Sequence, residues 1–148
     1  MSKMVQALLS GLFITFLLDF FFFLGIFQNY IRVHEINLYY NILFVDNQSI
    51  ILFIVISFLL GYLVIYKSSK LTLVLIAILA LFSLSTLIKP VGRSVAEILL
   101  MKKDVQIHTD KYSYRGDILY NGRENITFYD YKFKKVLKLN KNKIIGEY

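Results

Sequence analysis

The chain has 148 residues, of which 57% are hydrophobic and 18% charged, with a mean hydropathy of +0.58 and a formal charge of +7. That composition excludes a disordered tail or a collagen-like repeat, and it argues against a water-soluble globule, whose surface would need more polar residues. There is no cysteine, so disulfides, thiolate metal sites, iron–sulfur clusters and cysteine nucleophiles are excluded, and neither redox compartment is favoured.

Three apolar runs have the length of membrane spans. The first covers about residues 7–27, reads ALLSGLFITFLLDFFFFLGIF, and carries one charge, Asp19, near its centre. It is too long for the core of a signal peptide, and no small-residue cleavage site follows it. An ionised carboxylate in mid-membrane is costly, so Asp19 should face protein, pair with a cation or hold a proton. Ala7, Gly11, Thr15 and Asp19 recur every four residues and so share one helical face of small and polar groups, a surface suited to close helix packing. The expected state is a protonated Asp19 hydrogen-bonded across that interface. An ion or proton relay and a salt bridge to a partner are the alternatives.

Between the first and second runs lies QNYIRVHEINLYYNILFVDNQ. Its Tyr30, Tyr39 and Tyr40 suit the headgroup level, where an amphipathic ring meets both media. Ile31 to Phe44 is apolar enough for a short helix, either along the interface or over the bundle. The second run, about 49–66, is closed by Lys67, and the third, about 71–88, by Lys89-Pro90. Only Lys67-Ser-Ser-Lys70 separates them, which predicts a tight antiparallel hairpin. Ser57 and Gly61 in the second run, and Ala77, Ala80, Ser83 and Thr86 in the third, match the small-residue face of the first. No second charge stands inside the three runs, and three spans are few for a carrier acting alone.

Past the third run, Pro90 and Gly92 mark a break, and Ser94 with Glu97 has capping-box spacing. This predicts a juxtamembrane helix over 94–103. From residue 104 to 148 the pattern changes to short β-type runs, with Asn121-Gly122 as a two-residue hairpin signal. YSYRGDILY, ENITFYDYKFKKVLKL and a final II after NKNK suggest three to five strands. The predicted fold class is therefore an integral membrane α-helical protein. Three transmembrane helices, the second and third forming a short hairpin, occupy residues 1–93 and precede a small antiparallel β domain or arm. So small a sheet is marginal on its own and should lean on another body.

From Lys102 onward the chain holds eleven basic and six acidic residues, so this region carries most of the positive charge. Lys132, Lys134, Lys135 and Lys138 interleave with Tyr129, Tyr131 and Phe133, a combination expected to contact a partner protein or anionic lipid headgroups. Nucleic acid is the weaker reading, because no phosphate-loop, helix-turn-helix or zinc-finger spacing accompanies the charge. Lys3, Lys67 and Lys70 fall on one side of the membrane, and Arg32, Lys89, Arg93, Lys102 and Lys103 on the other. By the positive-inside rule the tail is cytoplasmic. The Lys, Ile, Asn, Tyr and Phe bias suggests an AT-rich genome, hence a bacterial inner membrane.

His34 and His108 are the only histidines, and two isolated imidazoles make no metal shell. No catalytic, cofactor or metal site is expected. These features predict a non-enzymatic accessory, assembly or scaffolding subunit, docked to a larger integral membrane complex or to further copies of the chain. The rival is a small oligomeric ion- or proton-conducting membrane protein using Asp19.

Overall fold

The structure, a computed structural model, describes residues 2–67, 69–109 and 112–145. Helix α1 (Lys3–Ile26) begins where the Ser2 hydroxyl accepts the Val5 N–H, and it runs on as a π-turn over Phe27–Ile31. The combined 29-residue helix is long and apolar enough to cross a membrane. Its rise is about 43 Å at 1.5 Å per residue, against about 30 Å for a hydrocarbon layer. At its C-terminal end Ile26, Tyr30 and Ile31 are buried against the rest of the protein.

Helix α2 (Tyr40–Asn47) packs back on α1 through ring contacts of Tyr40 and Phe44 with Phe16, Phe20, Phe23 and Phe27. The expected helix over Ile31–Phe44 is therefore displaced towards the C-terminus. Residues before Tyr40 form an irregular link in which Glu35 takes a φ of 53°. Helix α3 (Ile50–Tyr62), capped by Ser49 and extended by a π-turn over Leu63–Lys67, is the second helix apolar and long enough to cross.

Helix α4 (Lys70–Ser85) is capped by Ser69 and has 16 residues. It stops short of the expected Ile88. The Thr86 hydroxyl lies 2.7 Å from the Ser83 carbonyl, and the chain then bends by 90° into α5 (Lys89–Leu100). Pro90 sits in the first turn of α5, where its missing N–H has no helical partner to lose. Ser94 consequently lies inside the helix and caps nothing, and Glu97 accepts from Arg93 Nε at 2.9 Å. Pro90, read as part of a break, starts the helix.

The C-terminal part is a five-stranded antiparallel half-barrel in the order β4-β3-β2-β1-β5. Its strands are β1 (Lys102–Thr109), β2 (Ser113–Asn121), β3 (Asn125–Asp130), β4 (Lys135–Asn140) and β5 (Ile144–Ile145). Asn121-Gly122 does not form a two-residue hairpin. Gly122 N–H bonds Asn125 carbonyl across a longer loop. The run ENITFYDYKFKKVLKL splits at residues 131–134, where Asp130 Oδ1 accepts the Phe133 N–H at 2.7 Å and Lys134 adopts a φ of 51°.

Two hydrophobic cores result. One, inside the half-barrel, gathers Ile107, Ile118, Ile126 and Phe128. The other joins sheet to helices, with Phe23, Ile26, Tyr30, Ile31, Leu43 and Ala96 packed on Leu119 and Tyr120. A bulge between Ile118 and Tyr120 allows both neighbouring side chains of β2, Leu119 and Tyr120, to serve this second core. Tyr30, expected at the headgroup level, is fully buried here, and its hydroxyl donates to the Leu119 carbonyl at 2.9 Å. Arg123, in the β2–β3 loop, adds an ion pair to Asp46 of α2.

Candidate functional site

The small-residue face of α1 is used within the chain. A Cβ on Gly11 would collide with the Ser57 carbonyl oxygen, and one on Gly61 with that of Ala7, so α1 and α3 cross with their backbones in contact. Farther along α1, helix α4 takes over. Ser83 Oγ donates to the Leu18 carbonyl, Thr86 Oγ1 lies 3.1 Å from the Phe22 carbonyl, and Thr86 fills the space that a side chain at Gly25 would need. Asn29 then donates to the Thr86 and Leu87 carbonyls at 2.9 and 3.1 Å, occupying acceptors left free at the end of α4. Ala80 is half-buried, whereas Ala77 points outward and takes no part in this contact.

Because α3 and α4 both lean on α1, they meet mainly at the turn that joins them. The expected tight hairpin is thus closed at its turn and splayed beyond it. The splay leaves a cleft of about 360 Å³ whose floor is Thr15, Leu18, Asp19 and Phe22 of α1. Leu59 and Leu60 of α3 form one wall, with Leu79 and Phe82 of α4 opposite. Thr15 is 1% exposed, and its hydroxyl has no hydrogen-bond partner among the described residues.

Asp19 stands at one end of this cleft. Gln48 Nε2 donates to its Oδ2 at 2.7 Å, and Gln48 immediately precedes Ser49, the N-cap of α3. Asp19 is therefore level with the first turn of α3, not with its middle. The sequence suggested the centre because the apolar run of α1 continues past the bundle into the Phe20–Ile31 segment that meets α2 and the sheet. A second cavity, of about 310 Å³, shares Asp19 and Phe22 and continues past Asn47 and Gln48 to Leu99 of α5. Nearby, burial and the Asp19 carboxylate push the Tyr40 hydroxyl up to about 12, and it donates to the Phe20 carbonyl.

The basic residues of the sheet divide. Tyr131, Lys132, Phe133 and Lys134 form the β3–β4 turn, with Lys135 at the start of β4. The Lys132 and Lys135 ammoniums lie 5.8 and 5.5 Å from the centre of the exposed Phe133 ring. Beside them opens a groove of about 630 Å³ lined by Tyr112, Tyr114, Arg115 and Tyr131. The turn lies at the Asp130–Lys135 end of the β3–β4 pair, beside Gly116 of β2 rather than beside Leu119 and Tyr120, which make the helix contact. Lys138 stands apart, mid-strand opposite Thr127, and Tyr129 packs against the helix-facing core.

On the same face Arg115 pairs with Asp104 through Nε at 2.8 Å and Nη2 at 3.0 Å, holding that carboxyl below the usual range. The Tyr131 hydroxyl donates to Asp117 at 2.5 Å, and this bond with the nearby negative charge pushes its pKa up. The sequence reading missed this network because Asp104 and Asp117 gave no local pattern; the bulge in β1, where Asp104 takes a φ of 52°, brings them together.

His34 stacks edge-on against Tyr30 at 4.6 Å on the helical side, while His108 lies near the remote end of β1, opposite Ser113. Among the described residues no group of three or more His, Asp or Glu side chains is placed to hold a metal. No family model matches the chain, and neither the comparison with characterised sequences nor that with solved structures found a similar protein.

Proposed function

We propose that the chain is a non-enzymatic accessory or assembly subunit of a larger membrane complex, anchored by three spans and presenting its half-barrel to a partner protein. The observation that carries this reading is the outer edge of the sheet. Strand β4 pairs with β3 on one side only, and no described strand covers the other. At its start the exposed Phe133 and Tyr131 rings are ringed by Lys132, Lys134 and Lys135. An edge of unpaired N–H and C=O groups beside basic and aromatic side chains suits the addition of an extended acidic segment.

The internal use of Ala7, Gly11, Ser57 and Gly61 moves the docking role away from the α1 stripe and onto the sheet. It also weakens the conducting alternative. Ser57 and Ser83 hydroxyls are taken up by backbone carbonyls, and Asp19 is engaged by Gln48 at the end of the second span.

A third crossing by α4 is part of this reading, and connectivity supports it. The sheet touches Tyr30 and Asp46, both on the far side of the first span, while Lys67 and Lys70 lie at the near side after the second. Helix α4 runs beside α1 up to Leu18 and Phe22 and carries the chain back, and α5 then turns along the surface. The basic excess on the sheet side supports a cytoplasmic half-barrel in a bacterial inner membrane.

The test is native mass spectrometry of the complex extracted gently from its source membrane, paired with hydrogen exchange. A defined heteromeric mass should appear for the wild type and disappear when Lys132, Lys134 and Lys135 become Glu. The β4 amides should exchange more slowly in the complex than in the free chain. A monomer or homo-oligomer with unprotected β4 amides refutes the reading.

A further inference from the structure

The cleft between α3 and α4 has no role in the contacts described for the sheet, and three of its features converge on one class of ligand. Its walls are apolar, and the rim residues Leu59 and Phe82 are exposed on the outer surface of the bundle, 52% and 58% respectively, so the cleft opens sideways where lipid tails lie. At about 360 Å³ it has the size of a pocket for a small ligand, in the range of about 300–1,000 Å³, and is smaller than a single turn of a helix about 10 Å across.

Two polar groups in this apolar lining lack what they need. Thr15 lines the cleft floor, and its buried Oγ1 has no partner among the described residues, which is costly for a hydroxyl unless a bound group supplies one. One helical turn above it, about 6 Å along the axis, the Asp19 carboxylate receives Gln48 on Oδ2 and has no ion-pair partner among the described residues. The second cavity, past Asn47 and Gln48, leaves room for a polar group beside that carboxylate.

We propose that the cleft seats one acyl chain of an aminophospholipid of the phosphatidylethanolamine type. The chain lies between Leu59, Leu79 and Phe82, the Thr15 hydroxyl donates to the ester carbonyl, and the primary ammonium pairs with Asp19. A primary ammonium donates charge-assisted hydrogen bonds to a carboxylate; the quaternary ammonium of a choline lipid cannot, and an anionic glycerol headgroup is repelled. The proposal does not depend on the partner-docking role of the sheet.

The experiment titrates the full chain in detergent with phosphatidylethanolamine, phosphatidylcholine and phosphatidylglycerol of the same acyl composition and counts retained lipids by native mass spectrometry. The wild type should retain one phosphatidylethanolamine with an affinity about tenfold above either other lipid, the ratio expected from a single charge-assisted hydrogen bond. Asp19→Asn should abolish that preference. Leu79→Trp, which fills the cleft, should abolish retention of all three lipids while the thermal midpoint of the protein holds. Equal retention of the three lipids, a preference for phosphatidylglycerol, or a preference unchanged by Asp19→Asn overturns the proposal. The lipid comparison on the wild type decides the matter even if a variant fails to fold.

Discussion

Tyr30 shows how much one side chain can depend on residues far away in sequence. Its ring is buried and its hydroxyl donates to the Leu119 carbonyl, so Tyr30→Phe removes a buried hydrogen bond from the joint between helices and sheet. The expected cost is about 1 kcal/mol, read as a lower thermal midpoint by circular dichroism in detergent. Read from sequence, Tyr30 was an amphipathic ring at the end of an apolar run, and a partner 89 residues away leaves no local trace. Its neighbour His34 gives a pH dependence. Burial first, and then the positive charge of Arg93, lower its pKa, against a smaller opposing pull from Glu97. A histidine that binds its proton more weakly in the fold than in the unfolded chain contributes stability fully above the unfolded value of about 6.5. That contribution falls as pH drops from there towards the lowered value. The thermal midpoint should therefore decline below pH 6.5, and His34→Phe should flatten the decline while carboxylate effects at lower pH remain.

For helices, the legible signals were those set by close packing. Ala7, Gly11 and Thr15 recur at a spacing that only a helix turns into one face, and small residues on such a face are what backbones in contact require. Gly11→Val places a branched side chain against the Ser57 carbonyl and should destabilise the bundle by about 1–3 kcal/mol or separate α3 from α1, measured as a loss of thermal midpoint. A conservative change on the outer surface, such as Ile51→Leu, should leave the midpoint in place, because Ile51 is 78% exposed. Helix boundaries were less legible. The apolar run to Ile88 continues past the end of α4 because composition does not record the bend that Thr86 and Asn29 stabilise. Ser94 and Glu97 have the spacing of a cap, yet Pro90 starts the helix earlier, and a pair at that spacing inside a helix serves equally well elsewhere. In the tail the strands were readable from β-type runs, while the Asp130 turn that divides β3 from β4 was hidden by an unbroken alternation of aromatic and basic residues.

At the scale of the whole molecule, connectivity constrains the topology more firmly than charge does. Three basic side chains against five is a narrow margin for the positive-inside rule. The sheet, however, is fixed to Tyr30 and Asp46, which follow the first span, and it is reached from Lys70 through α4. On the proposed three-span reading, the N-terminal end and the Lys67–Lys70 turn lie on one side and the half-barrel on the other. The absence of cysteine makes this directly measurable, since one introduced thiol is the only one present. In intact inverted and right-side-out vesicles, Lys67→Cys and Lys132→Cys should react with a membrane-impermeant maleimide from opposite faces. Lys132→Cys should react only where the cytoplasmic face is exposed. Labelling of both from the same face would mean that α4 enters and leaves on one side. The Tyr30 and Asp46 contacts would then have to be broken, and Tyr30→Phe would leave the thermal midpoint unchanged.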